Sequence, residues 1–66
     1  MTSTYLKSIA KEYMDTIAMI SSGMYSGDEI RDLEQQRGVL HDQLIREIGK
    51  NISRRSMPDY VRNNIL

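Results

Sequence analysis

Sixty-six residues are enough for one small domain over 1–66 and too few for a cofactor domain beside a substrate domain. Nine Lys and Arg balance nine Asp and Glu, a net charge of +0, which excludes binding to nucleic acid through bulk positive charge. With no cysteine, a disulfide framework, a thiolate zinc site and a Cys nucleophile are excluded as well.

The first periodic segment runs from Thr4 to about position 21. Leu6, Ile9, Tyr13, Ile17 and Ile20 follow one another at three- and four-residue steps, and Ala10, Met14 and Ala18 widen the stripe. Ser3 or Thr4 can cap its start. Ser21-Ser22-Gly23 ends it, with Gly23 free to turn left-handed.

A second helix is expected over 27–48. Ser26 and Glu29 have the spacing of a capping box, in which the hydroxyl accepts from a backbone N–H three residues on and the acid reaches back. Ile30, Leu33, Leu40, Leu44 and Ile48 fall on one face, and Gly49 supplies the stop. Asp28 with Arg31, Arg31 with Glu34, Glu34 with Arg37, and Asp42 with Arg46 have pairing distances along the helix. Arg37 interrupts the apolar stripe. Either it sits in the seam, where one polar residue fixes register or partner number, or it lies at the stripe edge with its stem over Leu33 or Leu40.

The third segment predicts a short helix over 57–64. Ser56 stands as its cap, Pro58 falls early enough to forfeit no hydrogen bond, and Asp59 lies in the first turn. Met57, Tyr60, Val61, Ile65 and Leu66 make one amphipathic face. The fold class expected is therefore all-α, a helical hairpin followed by a short third helix.

A chain of this length buries only about 60% of its unfolded surface, and small domains without disulfides often gain the rest by oligomerising. A homodimer is expected, a dimeric helical bundle sharing a core of Leu6, Ile9, Tyr13, Ile17, Ile30, Leu33, Leu40, Leu44 and Ile48. Lys7, Lys11, Glu12 and Asp15 interrupt any leader-like apolar run near the start, and no stretch has the length of a membrane span. The expected compartment is the cytoplasm, with no membrane partner.

Catalytic constellations are missing from the pattern. His41 is the sole histidine, with Arg37 and Ile45 where a second metal ligand would stand, and it reads as a solvated surface residue beside Asp42. No serine sits in a nucleophile elbow, and Gly23 and Gly27 lack phosphate-loop spacing. No enzyme activity, cofactor or metal is expected. The charges are more informative. Residues 1–45 carry four basic and seven acidic side chains, whereas residues 46–66 carry five basic and two acidic. Lys50, Arg54, Arg55 and Arg62, with Tyr60 as an aromatic anchor, are the candidate partner-binding set. The other reading of these arginines is that they neutralise the end of the second helix or the acidic half of a partner subunit.

The stretch Val39-Leu40-His41-Asp42-Gln43-Leu44-Ile45-Arg46-Glu47-Ile48-Gly49-Lys50-Asn51-Ile52-Ser53-Arg54-Arg55-Ser56-Met57 resembles the YmgB/AriR–YcgZ group of small enterobacterial regulators. In that group a helix ends in Gly-x-Asn, followed by an aliphatic residue, Ser or Thr, and basic residues. Pro58 departs from that pattern, because it would break a helix begun at Ser53. Met1-Thr2-Ser3-Thr4-Tyr5-Leu6, Tyr25-Ser26-Gly27-Asp28-Glu29-Ile30 and Met57-Pro58-Asp59-Tyr60-Val61 are similar, in order, to the Hha/YmoA family. Gln36-Arg37-Gly38-Val39-Leu40 replaces that family's Ala-Ala-Asp-His-Arg centre. Both resemblances imply small helical modulators that act through protein partners. The function expected is a non-catalytic bacterial or phage regulator of transcription or stress response that works by protein–protein interaction. Direct DNA binding by a dimer through the C-terminal basic patch and phage inhibition of a host enzyme are the alternatives.

Overall fold

A computed structural model describes residues 3–66 and contains three helices, α1 (Thr4–Ser21), α2 (Gly27–Ile48) and α3 (Met57–Asn64). Met1 and Thr2, which open the second resemblance, lie outside the described residues. The described chain is small and all-α, with the helix spans that the spacing implies.

Local chemistry sets each boundary. Ser3, not Thr4, caps α1: its hydroxyl accepts from the Leu6 N–H at 3.0 Å. The helix closes at Ser22, and Gly23 takes a φ of 75°. At α2 the capping box forms in full, with the Ser26 N–H donating to Glu29 Oε1 at 3.0 Å and the Glu29 N–H to Ser26 Oγ at 3.4 Å. The backbone hydrogen bond from Ser26 holds the Glu29 carboxyl below its ordinary range. Gly49, at φ 78°, stops α2, and its N–H donates to the Ile45 carbonyl.

The start of α3 differs from expectation. Ser56 has a helical backbone and makes no side-chain cap bond. Ser53 takes that duty three residues earlier, its hydroxyl accepting from the Ser56 N–H at 3.2 Å and its carbonyl from the Met57 N–H at 2.9 Å. A residue already in the αR region cannot present its side chain to the N–H groups that follow, so the cap falls to a preceding residue.

The helical ion pairs expected along α2 do not form. Among the described residues one pair lies within 4.0 Å, Arg62 with Asp59 at 3.6 Å. Solvated pairs of this kind contribute a few tenths of a kcal/mol, about what it costs to hold two long side chains still. Arg37 turns inward instead and is half-buried.

Joined by the short turn 22–26, α1 and α2 pack along one another. The molecule measures 38 × 19 × 18 Å, and α2 accounts for most of the long axis at about 1.5 Å per residue. The core is not confined to this hairpin. Ile9, Ala10 and Tyr13 of α1 and Leu40 and Leu44 of α2 form one buried cluster with Met57, Val61 and Ile65 from the C-terminal segment. Eight residues of isolated helix are unstable in water, so α3 depends on this burial. Leu6, Ile17 and Ile48 pack at the edge of the cluster, while Ile30 and Leu33 are half-buried outside it. Along α1 the enclosed face leans toward Thr16, whose hydroxyl donates to the Glu12 carbonyl at 2.8 Å, and Ala18 is exposed. Leu66, placed on the apolar face of α3 by spacing, is exposed too. Deleting a fully buried side chain such as Leu44 costs on the order of 2–5 kcal/mol, a large part of a small domain's stability.

Candidate functional site

Gly49 turns the chain off α2, and Ile52 packs back against the core. Between these anchors and α3 the backbone winds into a turn centred on Ser53. Its carbonyl accepts from the N–H groups of Ser56 and Met57, and its hydroxyl donates to Ser56 Oγ at 3.1 Å. Arg54 and Arg55 are the two residues enclosed between these serines. The hydrogen bonds hold their backbone while both side chains remain exposed.

Arg54 reaches back to α2. Its Nη2 lies 3.5 Å from where a Cβ on Gly38 would stand, so the guanidinium rests at contact distance over a residue with no side chain. Gly38 is flanked by Arg37 and, one turn on, His41. His41 is buried at 5% exposure, and its ring centroid stands 6.3 Å from that of Tyr13, itself 1% exposed. Expected as a solvated residue, His41 is held inside. Its position explains this: 37, 41, 44 and 48 share the edge of the Leu40–Leu44 stripe, so α1 covers position 41 when it covers those leucines.

Two nitrogen atoms in this cluster are buried without a hydrogen-bond partner, Arg37 Nε and His41 Nδ1. A neutral imidazole can keep its proton on Nε2 and leave Nδ1 a bare acceptor. Arg37 has no such option, because its Nε always carries a proton. A buried donor left unpaired costs about 1–3 kcal/mol. Burial pushes the Tyr13 hydroxyl above its ordinary value, and the positive charges of Arg37 and then Arg54 oppose that rise.

The expected partner-binding set thus divides. Lys50, Arg54 and Arg55 lie on the connection from α2, all exposed. Arg62 is paired with Asp59 across one turn of α3. Tyr60 is half-buried against the core and lines a separate open cleft of about 350 Å³ with Ser3, Leu6, Glu47, Ile48, Asn64 and Ile65, none of them basic. On α2 it is Gly38 that Arg54 approaches, between Arg37 and the buried His41. Of the residues expected to form a shared dimer core, Ile9, Tyr13, Leu40 and Leu44 are enclosed by the chain's own helices. Leu6, Ile17, Ile30, Leu33 and Ile48 are partly exposed.

Among the described residues no three His, Asp or Glu side chains come together as a metal site, and no helix is long and apolar enough to cross a membrane. Comparison with family models, curated proteins and solved structures finds no match to this chain.

The Tyr13 environment has a consequence in alkaline solution. Its folded value lies above the unfolded one, so the neutral phenol's contribution is complete below the unfolded value of 10.0 and is lost as pH rises through the folded value. Urea unfolding of the wild type and of Tyr13→Phe should show the wild type losing more stability between about pH 9 and 11. Equal losses would mean that the phenol is not desolvated in the folded chain.

Proposed function

We propose that this chain is a small non-catalytic regulator that acts by binding another macromolecule through the basic connection between α2 and α3. The supporting observation is that Arg54 and Arg55 sit on a hydrogen-bonded turn with no carboxylate within ion-pair distance among the described residues. Arginines that only neutralised the chain's own acidic helix would pair with it. A braced turn also lowers the entropy lost when a partner docks, and the planar arginine fork bonds an acidic surface through two donors. The resemblance to small enterobacterial modulators favours a protein of the transcription or stress machinery as the partner.

Replacing both Arg54 and Arg55 by Ala should leave the melting temperature in place and abolish capture of partners from bacterial lysate. Loss of stability would support neutralisation within the chain. Retained capture with retained stability would move the working face elsewhere. A steep fall of affinity for duplex DNA between low and moderate salt would favour the nucleic-acid alternative.

We also infer a homodimer formed at the turn end of the hairpin. There Ile17, Ile20, Ile30 and Leu33 are only partly covered, and Met19 and Met24 are 36% and 82% exposed. The apolar area left uncovered at one end supports a second copy there, in place of the long shared core suggested by the stripes. Sedimentation at micromolar concentration should give twice the chain mass, and a folded 7.7 kDa species would refute the dimer.

A further inference from the structure

We propose that a second copy of this chain lies antiparallel over the turn half of the hairpin, so that the acidic start of α2 in each copy meets Arg54 and Arg55 of the other. The inference rests on the homodimer reading and adds its orientation and the occupant of the basic connection.

The chain covers only one half of its own hairpin. Met57, Val61 and Ile65 seat against Ile9, Ala10, Tyr13, Leu40 and Leu44, in the half remote from the turn. Toward the turn, Ile20, Ile30 and Leu33 lie outside this cluster and stay partly exposed, and Ile17 sits only at its edge. The connection marks the border between the halves, because Arg54 rests over Gly38, midway along α2.

Charge is divided in the same way. Residues 14–37, the turn half, carry two basic and five acidic side chains, whereas 3–13 together with 38–66 carry seven basic and four acidic. Asp28, Glu29, Asp32 and Glu34 are exposed near the start of α2, and none is in an ion pair among the described residues. Arg54 and Arg55 are exposed and equally unpaired. The uncovered apolar face is thus acidic at its outer end and basic at its inner end, about 16 Å apart along α2. A two-fold axis across the hairpin turns such a face onto itself with each acidic end on a basic end, twice over. Copies aligned in parallel, or abutting tip to tip, put acid on acid instead. Burial of the aliphatic side chains holds the copies together, and the charges choose the orientation, since exposed pairs add little stability. The arginines are then covered in the dimer, and an outside protein that uses them binds the separated chain.

A charge swap reads the orientation. One variant carries Arg54→Glu with Arg55→Glu; the other carries Asp28→Lys with Asp32→Lys and keeps the Glu29 of the capping box. In sedimentation, each variant alone should dimerise about tenfold or more weakly than the wild type, and an equimolar mixture should recover wild-type affinity as a mixed dimer. Recovery also shows that both variants fold. Undiminished dimers of the single variants, or a mixture no tighter than its parts, would overturn the orientation. Because the chain has no cysteine, Ser21→Cys and Ser56→Cys, at exposed positions, give a second measurement free of the charge changes. Mixed under air oxidation, they should form the 21–56 disulfide in excess over 21–21. Predominance of the 21–21 product would show the tips abutting and overturn the proposal. A monomeric wild type removes the dimer reading and this inference together. A wild-type dimer with neither recovery nor the 21–56 product removes this inference alone.

Discussion

Everything in this chain depends on the seating of Met57, Val61 and Ile65 on Tyr13, Leu40 and Leu44. Two helices alone leave one side of their apolar stripes open to water, and an eight-residue helix has no independent stability. Each problem resolves the other. Once α3 is seated, Leu44, Met57 and Val61 are completely enclosed, and the chain has a core of close-packed aliphatic side chains around a single tyrosine.

The same contact positions the basic residues. The connection leaves α2 at Gly49 and must reach α3 at Met57, and it is pinned on the way by Ile52 in the core and by Ser53 in the turn. That route carries Arg54 back over Gly38. Arg37 and His41 are drawn inward by the α1 packing that buries Tyr13. Polar side chains are thus enclosed at the margin of an apolar cluster by forces that act on their neighbours. The unpaired Nε of Arg37 is a local cost that the surrounding burial outweighs.

Most of the helical framework was legible in the sequence because its signals are local. The Ser26–Glu29 spacing, the left-handed glycines at 23 and 49 and the apolar steps along α1 and α2 each depend on neighbouring residues only. The tertiary partners of those stripes were not legible. Periodicity shows that Leu40 and Leu44 need cover but not whether a second copy or α3 supplies it. His41 was misread because its fate depends on the width of the buried face, which α1 decides. The approach of Arg54 to α2 was not legible for a related reason: Gly38 and Arg54 are sixteen positions apart, and only the return of the chain after Gly49 brings them into contact. Tyr60 and Arg62 lie nearer to Arg54 in sequence, yet one lines a separate cleft and the other is paired on α3.

Native-state hydrogen exchange at the amides of Tyr13, Leu44 and Val61 tests the interdependence of the three helices most directly. If α3 completes the core, the Val61 amide opens only when the hairpin does, and all three amides exchange with one common opening free energy and one denaturant dependence. A Val61 amide that exchanges orders of magnitude faster, with Tyr13 and Leu44 still protected, would show α3 to be a loosely attached tail. It would then remove the structural basis for holding Arg54 against α2.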